Sequence, residues 1–445
     1  MSTIIRNGTI VNHTEIFSAD ILIREGKIDQ IASQLPSTIH AEQEIDAEGY
    51  FVLPGGIDPH VHMHLQTPAG FSADDFYSGS CAALAGGTTT IIDFVTPKRG
   101  QPITEALEQR KKEAETSLCE TLFHVSPVKF VKNTGNELLA CIQQGIRSFK
   151  VYMAYKPTVG LQDDELRQVL EIVGKAGGML AVHCEMGDEI ENFRNRFFEE
   201  GKTAPLYHAL SRPSNTEAEA VKKVLAMASE HNCPLYLVHI SSAESLEHIS
   251  HAKNGGQRVF AETCPQYLLL NEDKYSGSFR ETAPFVISPP LRGNMHSESL
   301  WEALASGLID AVGTDHCPFN MSQKEAGLND FRKIPNGAGG VEFRLSLLYT
   351  YGVLKNKISM ERFVDLVSTT PARIFGLYPR KGVVAPGSDA DLVIWNPGHQ
   401  SIISAATHYQ NCDINIYEGM SVKGCAEHVI AGGKITVGDK GFIKT

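Results

Sequence analysis

The first 53 residues are dominated by short apolar runs broken by turn signals. The run from Thr3 to Val11 is rich in β-branched residues and reaches a turn signal at Asn7-Gly8. The run from Ala19 to Ile31 alternates apolar and polar positions and turns at Glu25-Gly26. The far end has the same character, from Asp391 to Trp395 and again from Glu427 to Val437. Strand-rich ends around a different middle predict one small β-sandwich domain assembled from residues 1–53 and 377–445.

Between them, residues 54–376 alternate apolar strand-like runs with helical stretches. Candidate strands are 56–62, 88–94, 122–128, 147–153, 179–185, 235–241, 258–263 and 311–316, and candidate helices include 163–176, 216–231 and 297–306. Eight strands with helical connections, over somewhat more than the roughly 250 residues usual for the architecture, favour an α/β (β/α)8 TIM-type barrel. A doubly wound open sheet is the alternative, but it leaves the polar residues at the strand ends without a common meeting point.

Composition narrows the class further. The 445 residues are 42% hydrophobic and 21% charged, which is globular, and the net charge of −12 argues against a basic nucleic-acid footprint. No run resembles a membrane span, because the longest uncharged stretch, Phe76 to Ile92, is full of Gly, Ser and Thr. The first residues lack a long apolar segment or a small-residue cleavage site. Nine scattered cysteines without a C-x-x-C pair read as reduced thiols, so a cytoplasmic protein is expected.

In a (β/α)8 barrel the chemistry sits at the C-terminal ends of the strands. Those ends carry His60 and His62, Lys150, His183, His239 and Asp315. His60-Val61-His62 places two imidazoles on one side of an extended chain, because strand side chains alternate with period two. A lone histidine at a strand end is more often a hydrogen-bonded core residue. A lone lysine usually snorkels to solvent, and a lone aspartate caps the next helix. Compatible residues at five strand ends, all facing one rim, point instead to a divalent metal.

The motifs then become recognisable. The run Pro54-Gly-Gly-Ile-Asp-Pro-His-Val-His62 resembles the opening metal motif of the amidohydrolase superfamily. The runs Asp75–Gly79, Gly86–Phe94, Ser148–Lys156, Glu262–Tyr267, Ser288–Arg292, Thr314–Cys317 and Lys333–Gly337 are similar to those of the dihydropyrimidinase/D-hydantoinase family, and Gly387–Val393 to the superfamily's returning β domain. The resemblance covers nearly the whole chain. It implies a cyclic amide hydrolase, opening hydantoin or 5,6-dihydropyrimidine rings to N-carbamoyl amino acids, with two divalent ions. His60, His62 and Asp315 are implied for one ion, His183 and His239 for the other, and Lys150 as a bridging carbamate. A histidine-rich donor set suits zinc.

The resemblance further implies an attacking hydroxide shared by the two ions, with Asp315 as its proton shuttle. Tyr155 is implied as the hydrogen-bond donor to the developing oxyanion, and backbone atoms of Ser288 and Asn336 as the grip on the imide edge. His64 stands where dihydroorotases carry a carboxylate-binding arginine, which disfavours an acidic ring and marks His64 as a weak candidate for substrate contact. Allantoinase- or dihydroorotase-like hydrolysis is the alternative activity. A non-catalytic dihydropyrimidinase-related scaffold is a remote one, since all six ligand positions are filled. The expected partners are a small cyclic amide and further copies of the chain, as a homodimer or homotetramer, with no nucleic acid and no membrane.

Overall fold

The structure is a computed structural model that describes residues 2–438 and 441–442. The expected outer limits of the terminal β domain, at residues 1 and 445, lie outside the described residues. Strands β1 (Ser2–Val11), β2 (Ile16–Arg24), β3 (Lys27–Ala32), β4 (Gln43–Asp46) and β5 (Phe51–Pro54) open the chain. Next come β6 (Gly56–Val61) and a small hairpin of β7 (Gln66–Thr67) and β8 (Gly70–Phe71). Strands β9 (Thr88–Val95), β10 (Glu120–Val125), β11 (Ser148–Tyr152), β12 (Met179–His183), β13 (Leu235–Leu237), β14 (Val259–Thr263) and β15 (Ala311–Val312) follow. Strands β16 (Leu392–Ile402), β17 (Ser421–Ala431), β18 (Lys434–Gly438) and β19 (Gly441–Phe442) close the chain.

β5 joins the two ends of the chain. It pairs in parallel with β1 and antiparallel with β16, so one mixed nine-stranded sheet draws on both ends. The Asn7-Gly8 pair does not turn the chain. It forms a bulge inside β1, where the register to β2 shifts between Ile5 and Gly8 and Asn7 takes φ +59°. The Asp20 carboxylate stabilises that irregularity by accepting from the Asn7 and Leu35 backbone N–H groups, each at 2.9 Å, and from Arg6 at 3.0 Å. The turn signal was real chemistry, but a neighbouring side chain absorbed it within the strand.

The middle is an eight-stranded parallel sheet in the order β6-β9-β10-β11-β12-β13-β14-β15, with a single bridge from Val61 to His316 bringing its two ends together. Parallel strands are covered on both faces, and all eight residues of β9 are buried accordingly. The helix Asp163–Lys175 shows how the outer layer attaches. Leu166, Val169, Leu170 and Val173 form its buried stripe, and Gln162 and Glu165 make a reciprocal capping box at its start. Two strands end far short of expectation, at Leu237 and Val312 rather than at 241 and 316, while the others differ by a few residues at their ends. The chain leaves the ladder there to enter left-handed conformations at His239 (φ +42°) and Asp315 (φ +54°). No helix among the described residues is long and apolar enough to cross a membrane.

Candidate metal centre

Asp58, buried in β6, determines where the first and last strands of the barrel meet. Its carboxylate accepts from the backbone N–H groups of His60 at 3.1 Å and Thr314 at 3.2 Å, and from the Thr314 hydroxyl at 2.7 Å. Position 313 is glycine for a steric reason, since a Cβ would lie 2.6 Å from Glu262 Oε2 and 3.1 Å from His60 Cβ. The close approach brings His60 Nε2 and His62 Nε2 each to 3.1 Å from Asp315 Oδ1. Ligand atoms of these three residues lie within 4.8 Å of one another, a group able to hold a metal ion.

A second pair faces the same space from β12 and the end of β13. His183 Nδ1 lies 2.8 Å from His239 Nε2, and the rings of His60 and His239 are 5.4 Å apart. Lys150 lies between these groups on β11, only 1% exposed, with its Nζ 4.9 Å from the Phe94 ring centre and 5.1 Å from that of Tyr152. The structure thus brings all six sequence-identified residues to one end of the barrel, where they line a cavity of about 860 Å³.

Protonation follows from burial and neighbours. Burial pulls the His60 imidazolium down, but Asp315 and Glu262 outweigh it and lift the group to about 9. Burial dominates at His62, which falls to about 4 despite Asp315. The pair therefore carries one proton, on the ring whose other nitrogen is backed by Glu262. Burial likewise depresses His183 and His239, the latter well below its ordinary value. It pulls Lys150 down to about 8 against the attraction of Asp315 and Glu262. Burial alone would raise the Asp315 carboxyl, but His60 and His62 hold it well below the usual range.

These features fit a divalent ion. His62 Nδ1 is buried without a hydrogen-bond partner, and three of the four imidazoles are held neutral, the form that ligates. Metal-ligating histidines usually donate their other ring nitrogen to an oriented acceptor. His60 Nδ1 meets Glu262 Oε1 at 2.7 Å, and His183 Nε2 meets Glu185 Oε2 at 2.8 Å.

Glu262, Glu185 and Arg212 are the residues that sequence reasoning missed. Glu262 also accepts from the Tyr236 hydroxyl at 2.8 Å and from the His239 backbone N–H at 3.2 Å. Glu185 forms a buried ion pair with Arg212, which donates to Tyr155 Oη at 3.2 Å. Glu185 carried a readable signal, since it follows His183 by two residues as His62 follows His60. Glu262 carried a weaker one, as an acidic residue near the end of the seventh barrel strand, while Arg212 lies in a connection with no such mark.

Tyr155 lines the cavity with φ +58°, and its carbonyl accepts the backbone N–H groups of Thr158, Val159 and Gly160. Tyr155, His239 and Asp315 are thus three non-glycine residues in the left-handed region within one site, a strain typical of functional positions. Ser288 and Asn336 also line the cavity, joined by a hydrogen bond of 3.0 Å from Asn336 Nδ2 to Ser288 Oγ. His64 departs from expectation. Its backbone is left-handed at φ +46° and its ring stacks on Phe71 at 4.0 Å, so Leu65, not His64, lines the cavity.

Comparison with known proteins agrees with this geometry. The Amidohydrolase family model matches residues 51–436. A D-hydantoinase of Geobacillus stearothermophilus is 42% identical over 446 residues, covering 100% of this chain and 94% of that one. A dihydropyrimidinase of Arabidopsis thaliana is 40% identical, covering 97% of this chain and 81% of that one. The crystal structure of a dihydropyrimidinase from Brevibacillus agri superposes with a TM-score of 0.97 at 40% identity, covering 100% of this chain and 96% of that one. With its eight-stranded barrel, its converging histidines and a match along nearly its whole length, the chain belongs to the amidohydrolase family.

Proposed function

We propose that the protein hydrolyses the ring amide of uncharged hydantoins and 5,6-dihydropyrimidines to N-carbamoyl amino acids. The observation that carries this reading is the buried Lys150 among four histidines and Asp315 at the barrel mouth. His60, His62 and Asp315 would hold one divalent ion and His183 and His239 a second. Lys150 would be shared between them as a carbamate, and zinc suits this donor set. Burial favours that modification, because a lysine pulled down to about 8 offers a neutral amine to carbon dioxide far more often than an exposed one. When bound, such a pair of ions supplies a water of lowered pKa and a Lewis acid for the carbonyl.

The chain's own groups complete the reaction. Asp315 accepts the proton of the attacking water and returns it to the leaving ring nitrogen. Tyr155 donates its phenolic hydrogen to the oxygen that becomes negative. Arg212 fills the acceptor side of the Tyr155 hydroxyl, which leaves that hydrogen free for substrate. Backbone atoms of Ser288 and Asn336 hold the imide edge. The segment after His62 gives the cavity Leu65 rather than a guanidinium, so an acidic ring such as dihydroorotate lacks a clamp there. A cytoplasmic location belongs to the same reading, supported by nine cysteines that are all free, as does assembly into a homodimer or homotetramer.

The test is a panel of hydantoin, 5-substituted hydantoins, dihydrouracil, allantoin and dihydroorotate, offered to metal-quantified protein. An uncharged hydantoin or dihydrouracil should show the highest kcat/KM. Highest kcat/KM on dihydroorotate or allantoin would overturn the reading.

A further inference from the structure

Lys324 ends a four-residue helix, Met321–Lys324, behind the cavity wall, and it is 1% exposed. No carboxylate among the described residues pairs with its ammonium. Its three N–H donors instead meet three backbone carbonyls, Val286 O at 3.0 Å, Pro335 O at 2.8 Å and Gly337 O at 2.8 Å. The match is complete, since an ammonium has three donors and no acceptor. Burying an unpaired cation is costly, and such a group persists where its hydrogen bonds fix a geometry.

The carbonyls it gathers belong to two separate segments. Val286 lies two residues before Ser288, and Pro335 and Gly337 flank Asn336. Ser288, Pro335, Asn336 and Gly337 all line the cavity. The segments also touch through the Gly337 N–H, which donates to Val286 O at 3.1 Å, so that carbonyl serves both the lysine and the opposite strand of chain. The contact requires glycine at 337, where φ is +149° and a Cβ would lie 2.3 Å from Cys317 O. Burial pulls Lys324 down to about 7.

We propose that Lys324 is a positioning residue for substrate, holding the 286–288 and 335–337 backbone in the geometry that presents the Ser288–Asn336 edge to a cyclic amide. The inference rests on the cyclic amide reading, but it concerns a residue that touches neither the candidate metal ligands nor the cavity.

The experiment compares wild type, Lys324→Met and Lys324→Gln as full-length, metal-loaded proteins. Steady-state kinetics on hydantoin and dihydrouracil are paired with hydrogen exchange of the 286–288 and 336–337 amides. In Lys324→Met, KM should rise at least tenfold while kcat stays within threefold, with metal content unchanged and exchange in both segments at least tenfold faster. Lys324→Gln, which keeps two N–H donors, should fall between, and it carries the test alone if the methionine variant does not fold. An unchanged KM with unchanged exchange, or a fall in kcat and metal content with no change in KM, overturns the proposal. A wild type inactive on every cyclic amide refutes the function reading instead, and the exchange result then decides the role of Lys324 by itself.

Discussion

Glu262 is the group on which the candidate metal centre most depends without contributing a ligand to it. One oxygen of its carboxylate meets His60 Nδ1 at 2.7 Å and the His239 backbone N–H at 3.2 Å, and the other receives the Tyr236 hydroxyl at 2.8 Å. Glu262→Gln keeps the volume. The amide settles with its oxygen toward His60 and His239, because Tyr236 can rotate its hydroxyl to accept while those two N–H groups cannot. Two charge-assisted bonds become neutral ones, at a loss of about 1 kcal/mol each. The sum of about 2 kcal/mol corresponds to roughly thirtyfold in affinity, inside the range of about 10–100-fold seen when such supporting groups are removed. The assay is metal affinity by chelator competition on Glu262→Gln, with Tyr236→Phe as control. The control removes only the bond to the far oxygen and should change affinity less than about threefold, no more than the low end of one neutral hydrogen bond. Wild-type affinity in a folded Glu262→Gln, or an equal loss in both variants, would refute the reasoning.

Asp315→Asn should retain most of its metal, since an amide oxygen still ligates, yet lose at least roughly 10²–10⁴-fold in kcat because it accepts no proton. Near-normal kcat at normal occupancy would remove Asp315 from the proton path. Metal loading should also be pH-dependent with a defined sign. His60 is lifted to about 9 in the metal-free protein, so a proton occupies it below that value and competes with the ion. Apparent affinity therefore falls as pH drops from 9 toward 6 and levels off above 9. Titration at pH 7 in buffers of different ionisation enthalpy should register release of at least about one proton per chain. Zero release would contradict the protonation assigned to His60.

Much of this was legible because parallel barrel strands are written as apolar runs, and all eight barrel strands fall at the expected places. The period-two rule identified His60 and His62 as a pair before any coordinates. It did not give the extents of β13 and β15, because His239 and Asp315 sit beyond the ladder in left-handed backbone, which histidine and aspartate favour more than most residues but too weakly to mark a strand end. His64 misled for the same reason. It matches the position where dihydroorotases carry a carboxylate-binding arginine, but its φ of +46° turns the ring onto Phe71. Asn7-Gly8 shows the converse, a local turn preference overridden by a carboxylate thirteen residues away in sequence. Arg212 and Lys324 were beyond reach, since their roles lie in contacts between distant segments.

The proposed carbamate at Lys150 is tested by metal content and hydantoin turnover of Lys150→Ala, with and without acetate or propionate. An alanine cannot be carbamylated, so the variant should lose at least one ion per chain and nearly all activity. A small carboxylate entering the vacated space should then restore part of both. Two ions per chain and wild-type turnover in the untreated variant would show that Lys150 is only a buried structural lysine.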